Sequence, residues 1–142
     1  MRDLLLAITI GLISSLFSSE VYSQEWGSAS EAAQNFNAKF DNDEINGIYD
    51  QFAGSYMRAK VTRSGFVSQL SVTRSQLGGA PQKRTLILQS SGQDPTTEHS
   101  YVSFRYEVKF PVAYVYEDLS LTQEKPGEWK LYGIFFNQVP IH

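Results

Sequence analysis

At Lys83 the apolar residues of this chain change their period, and that switch limits what the chain can fold into. Ahead of it, apolar residues recur every three or four positions, as on one face of a helix. Behind it they alternate with polar residues, as on a strand with one buried face. Helices first and consecutive strands after them predict an α+β domain. In it, a curved antiparallel sheet of about four strands wraps one face around N-terminal helices. The open end of such a cone is where a pocket is expected.

In the helical half, Ser28-Ala29-Ser30-Glu31 matches a capping box, and Ala29, Ala32, Ala33, Phe36 and Phe40 share a face, which predicts a helix over 29–40. Asp41-Asn42-Asp43 is read as the cap of a second, short helix carrying Ile45, Ile48, Tyr49 and Phe52, with Gly54 just past its end. A third helix is predicted from Thr62 or Ser64, with Phe66, Leu70 and Leu77 in register and Gly78-Gly79 as its stop. In the strand half, Leu86 and Leu88 alternate first. Val102, Phe104, Tyr106, Val108 and Phe110 then face away from Ser103, Arg105, Glu107 and Lys109. Pro111 cannot donate to a ladder and predicts a bulge or turn before the run 112–122, and Pro126-Gly127 predicts another turn. The last strand, 128–136, places Trp129 and Leu131 on one face and Tyr132, Ile134 and Phe136 on the other. Two apolar sides around Trp129 make a homodimer through the open sheet face an expectation.

Residues 4–17 (LLLAITIGLISSLF) form an apolar run behind Arg2, and Val21-Tyr22-Ser23 places small residues before Gln24. That is the pattern of a secretory signal peptide cleaved after Ser23, which leaves residues 24–142 as one domain. The run is roughly 14 residues and is broken by Gly11, Ser14 and Ser15, whereas a bilayer span needs roughly 20. The mature chain is therefore expected in the periplasm or outside the cell, and not spanning a membrane. With no Cys in 142 residues, its stability has to come from packing. An aromatic content of 13% argues against a disordered chain, and a net charge of -3 removes the basic footprint of a nucleic-acid binder.

Glu117 is the most informative residue for chemistry. It keeps register with Ala113, Val115, Leu119 and Leu121, so alternation puts a carboxylate on the apolar face. Such a group must be paired, hydrogen-bonded or protonated, and Arg74 or Arg84 is its expected partner in a structural ion pair. Of two other readings, a bulge would point Glu117 to solvent, and the weakest makes it a raised-pKa acid or base beside the hydroxyl of Tyr106, Tyr114 or Tyr132. No metal site or cofactor is expected: His99 and His142 lack further ligands at zinc spacing, and the calcium-like run from Asp41 has Phe52 at its twelfth position. No G-x-S-x-G elbow or phosphate-binding glycine loop is present. Arg58, Lys60 and Arg63 near Tyr56 read as a solvated edge.

Arg74-Ser75-Gln76-Leu77-Gly78 with Arg84 following resembles the R-x-x-L-G and trailing Arg of a bacterial secreted family, domain of unknown function 4019. Phe110, Glu117, Leu119, Leu121, Gly127-Glu128-Trp129 and Gly133-Ile134-Phe135-Phe136 are similar to its closing strands, so the likeness covers 28–137. The resemblance implies an export signal and a cystatin-like or nuclear-transport-factor-like α+β fold, and it implies no established chemistry. The expected function is an exported, non-enzymatic binding domain for an envelope protein or a small apolar ligand. The alternatives are an isomerase or dehydratase using Glu117, and a toxin-neutralising immunity protein.

Overall fold

The computed structural model describes residues 19–140; residues 1–18, on which most of the expected signal peptide falls, and residues 141–142, which include His142, lie outside the described residues. Four helices, α1 (Ser19–Asp41), α2 (Ile45–Phe52), α3 (Ser55–Lys60) and α4 (Arg63–Gln76), precede four strands. The strands β1 (Lys83–Gln93), β2 (Ser100–Lys109), β3 (Tyr114–Lys125) and β4 (Glu128–Gln138) pair antiparallel in the order β1-β2-β3-β4. The fold is α+β, with the helices on one face of an open, curved sheet.

Ala29, Ala33, Phe36 and Phe40 form a fully buried stripe on α1 at helical spacing, and α1 lies across β2, β3 and β4. The helix nevertheless begins ten residues before the expected start at Ala29. Ser28 does not cap it; its Oγ accepts a hydrogen bond from Trp129 Nε1 at 2.9 Å. The Asp41–Asp43 acids do not cap α2 either, for its N-cap is Glu44, whose side chain makes no capping hydrogen bond. The helix α3 was not legible in the sequence. Its N-terminus is held from a distant strand by Glu124 of β3, which accepts bonds from Ser55 N (2.6 Å) and Ser55 Oγ (2.8 Å). The fourth helix starts at the expected Thr62, whose Oγ1 accepts a bond from Gly65 N.

That helix ends through a pair of left-handed glycines. Gly78 N donates to Ser75 O and Gly79 N to Arg74 O, both at 3.0 Å, with φ values of 95° and 99°. A Cβ on Gly78 would stand 2.9 Å from Pro111 Cβ and 3.3 Å from Val112 N. Gly78→Ala is therefore expected to cost about 2 kcal/mol, from left-handed strain plus collision with the β2–β3 turn. Urea denaturation of the two proteins checks this, with Gly79→Ala as the roomier comparison.

Two bulges correct the strand expectations. In β4, Ser120 pairs with Gly133 and Leu121 with Leu131, so Tyr132 is an extra residue. The extra residue resets the alternation, and Trp129, Leu131, Ile134 and Phe136 all join the core under the helices instead of dividing between two faces. Trp129 is thus buried and offers no open face to a second copy. In β1 the register slips between Leu86 and Leu88, and the alternation expected there does not bury either residue. Leu86, Ile87 and Leu88 are 39%, 44% and 53% exposed, because the helical layer packs on β2 to β4 and leaves the first strand open.

Candidate functional site

Beneath the last turn of α1, polar groups from four elements meet inside the core. Asn37 and Asp41, one helical turn apart, come from α1, Arg84 from β1, Tyr106 from β2 and Glu117 from β3. Arg84 bridges two acids: Nη1 donates to Asp41 Oδ2 at 2.5 Å and Nη2 to Glu117 Oε2 at 2.9 Å. Tyr106 is the direct cross-strand neighbour of Glu117 and is hydrogen-bonded to Asn37. Glu117 is 0% exposed, and its Oε1 has no hydrogen-bonding partner within the protein.

The electrostatics follow from charge count and burial. Arg84 and Asp41 neutralise each other, so ionised Glu117 would leave a surplus negative charge on a fully buried side chain. Burial accordingly raises the Glu117 pKa above the ordinary carboxylate value, against the pull of Arg84. Burial also opposes the charge on Arg84, but Glu117 and then Asp41 outweigh it and hold the guanidinium more firmly protonated. The Tyr106 hydroxyl is pushed up to about 12, first by burial and then by Glu117.

A group whose folded-state pKa is raised contributes stability below its unfolded pKa and loses that contribution as pH rises through the folded value. Glu117→Gln mimics the neutral acid without that loss. Its stability relative to the parent should be within about 1 kcal/mol near pH 5 and should improve as pH rises toward 8. Thermal unfolding of both proteins across that range checks the sign.

Of the residues named from sequence, Arg84 and Glu117 come together, and Arg74 does not join them. Arg74 instead closes the end of α1, its Nε donating to Phe40 O and its Nη2 to Asp41 O, both at 2.8 Å. The R-x-x-L-G run thereby acquires physical roles: Arg74 binds the carbonyls that α1 leaves unsatisfied, Leu77 fills the core, and Gly78 turns the chain. Tyr114 lies at the surface and donates to Glu107 Oε2 at 2.8 Å. Arg58 donates to Ala53 O, Lys60 lies 4.7 Å over the Tyr56 ring, and Arg63 pairs with Asp50, so these cations serve separate local contacts.

Tyr132 belongs to a second cluster. Its hydroxyl donates to Asp94 Oδ2 at 2.5 Å, while Asp94 Oδ1 accepts from Thr96 N (2.8 Å) and Thr97 N (3.2 Å). The Tyr132 hydrogen bond, then those backbone amides, hold the Asp94 pKa below its ordinary value. Burial, then Asp94, raises that of Tyr132. Tyr56 of α3 stacks on Tyr132 at 4.5 Å and His99 stands 5.9 Å from it, so the cluster ties the β1–β2 loop to β4 and α3.

Sequence reasoning missed Asn37 and the pairing role of Asp41. Their signal was present as two polar residues four apart, continuing the stripe of Ala29 and Ala33. The arrangement is chemically a locked acid. One Glu117 oxygen is held by Arg84, and α1 covers the site, so a substrate has no approach to the carboxyl while α1 is in place.

A family model described as protein of unknown function (DUF4019) matches residues 32–134. No curated protein and no solved structure matches the chain. The matched span contains Arg74, Leu77 and Gly78, and also Arg84 and Glu117, the pair that ties Asp41 of α1 to the sheet.

Proposed function

From the premise that this chain belongs to the DUF4019 family of proteins of unknown function, we propose that it is an exported, non-enzymatic binding domain that takes a protein partner along β1. The observation that carries this reading is the exposure of three consecutive aliphatics, Leu86, Ile87 and Leu88, on an edge strand. An edge strand presents unpaired N–H and C=O groups in a row, and a partner strand can extend the sheet there. Backbone pairing along an edge strand suits an extended segment of protein better than a compact small molecule. Glu117 serves structure in this reading, by fixing Arg84 and through it both α1 and the start of β1. The export half rests on the pattern of residues 1–23, and among the described residues no helix is long and apolar enough to cross a membrane.

A photo-crosslinking residue placed at Leu88 in the producing cells tests the reading, with Val72, an equally exposed aliphatic on α4, as control. Defined protein adducts from Leu88 and none from Val72 are expected. Absence of adducts at Leu88, or the same adducts at both positions, would overturn it.

A further inference from the structure

The side chains of the buried cluster close a ring. Asp41 bonds Arg84, Arg84 bonds Glu117, Glu117 is the cross-strand neighbour of Tyr106, Tyr106 is bonded to Asn37, and Asn37 stands one helical turn before Asp41. Four of the five each keep one polar atom that is shielded from solvent and has no hydrogen-bond partner among the described residues: Asn37 Oδ1, Asp41 Oδ1, Arg84 Nε and Glu117 Oε1. Since Asn37 Oδ1 is free, it is the amide nitrogen that bonds Tyr106. Glu117 and Asn37 are 0% and 5% exposed, so bulk solvent does not serve them. Buried polar groups left in this condition are rare, and internal water is their usual partner.

We propose that the ring encloses a binding site for a single resident water molecule, which accepts hydrogen bonds from Arg84 Nε and from a protonated Glu117 Oε1 and donates to Asp41 Oδ1 and Asn37 Oδ1.

The mix of donors and acceptors identifies the ligand. Arg84 Nε can only donate, while Asn37 Oδ1 and the Asp41 carboxylate can only accept. A metal cation would suit the oxygens, but it cannot accept the guanidinium N–H and would stand beside a fixed positive charge. An anion would take the N–H and then face the acceptor oxygens. An apolar molecule would satisfy none of the four. Water offers two donors and two acceptors in the smallest volume.

Glu117 completes the count. Its Oε2 accepts from Arg84 Nη2, so a proton on this carboxyl resides on Oε1. Ionised, the group would set three acceptors against one donor, and one water would leave an acceptor unmet. Protonated, it gives two donors and two acceptors, which a tetrahedral water meets in full. Burial favours the same neutral form.

Guanidinium geometry locates the water. Nε and Nη2 share one edge of the planar group, the edge that a carboxylate grips with both oxygens. Arg105 holds Asp118 in that manner, Nε to Oδ1 at 2.7 Å and Nη2 to Oδ2 at 2.9 Å. Arg84 holds Glu117 by Nη2 alone, so the other half of the fork, from Nε to Oε1, is bridged through the water.

A high-resolution crystal structure of the protein should show one ordered peak within about 3.2 Å of all four atoms. Water oxygen-17 relaxation dispersion should count one long-lived internal water fewer in Asn37→Leu, which replaces an acceptor by an apolar group of similar size. Glu117→Gln should keep the water, because its amide N–H replaces the acid O–H. At neutral pH, the infrared difference between wild type and Glu117→Gln should contain the carbonyl band of a protonated carboxyl. A direct contact from Arg84 Nε to Glu117 Oε1 with no peak between them, or a peak with the coordination of an ion, would overturn the proposal. So would an unchanged water count in folded Asn37→Leu, loss of the water in Glu117→Gln, or a carboxylate band alone. Should Asn37→Leu fail to fold, the wild-type peak and Glu117→Gln decide the matter.

Discussion

Arg84→Met is expected to remove about 3 kcal/mol of stability at neutral pH, because it deletes two charge-assisted hydrogen bonds at the centre of the fold. The bonds run to Asp41 Oδ2 and Glu117 Oε2, and each joins the first strand to a different element. Loss of Arg84 leaves two acids without their cation. Removing that favourable neighbour raises the Glu117 pKa further, since burial already raises it. The deficit of the variant should therefore be largest at neutral to alkaline pH and shrink on acidification, as the Glu117 carboxyl becomes neutral and ceases to need a partner. Urea denaturation of parent and variant at two pH values reads both size and sign. The double variant Arg84→Met with Glu117→Leu separates this account from a simple packing loss. Replacing both members of a buried pair with apolar groups is often close to neutral, so the double variant should be more stable than Arg84→Met alone. If it is less stable, the pair contributes through shape and not through charge.

Phe40→Ala should cost still more, about 4 kcal/mol, in the range of large-to-small changes at fully buried aromatics. The Phe40 ring stacks on Phe136 of β4 with centroids 5.6 Å apart and meets Phe110, next to the β2–β3 turn, edge-on at 6.2 Å. Phe110 and Phe136 also touch, at 6.3 Å, so the three rings form one unit linking α1 to two places on the sheet. Truncating the central ring loses its own transfer free energy, two aromatic pairings and the contacts around the resulting cavity. A domain of this size commonly has 5–15 kcal/mol in total, so the variant should remain folded in water with its urea midpoint shifted far down and its m-value unchanged. Val72→Ala, at a half-exposed site on α4, should shift the midpoint by no more than about 0.5 kcal/mol equivalent. A small effect at Phe40 would mean that α1 does not pack on the sheet as described.

Both changes strike the same junction. Phe40 and Asp41 end α1, Arg74 binds their carbonyls from α4, and Arg84 binds the Asp41 side chain from β1. The four residues carry one mechanical task, the attachment of the long helix to the sheet. That attachment leaves β1 free of helical cover, so the same packing that buries Glu117 also exposes Leu86, Ile87 and Leu88.

Residue order alone determined the features that depend on neighbours close in sequence. The helical spacing of Phe36 and Phe40, the Thr62 cap, the glycine stop at Gly78-Gly79, the strict alternation of β2 and the Pro126-Gly127 turn each arise within a few residues, and all were legible from the chain. Glu117 was legible for the same reason, since alternation along one strand places it inward. What lay beyond the sequence depended on partners far away in it. The short helix α3 forms where Glu124, 69 residues later, accepts the Ser55 N–H. Asp41 serves Arg84 and not a helix cap because folding brings a guanidinium within 2.5 Å of it. Trp129 is inside together with Ile134 because a one-residue bulge in β4 resets which face the next side chain occupies, and Leu88 is outside because the helices pack on β2 to β4 and leave β1 uncovered. Local periodicity decides which face of an element is apolar. Only the assembled fold decides which of those faces is covered, and which charged group stands close enough to pair.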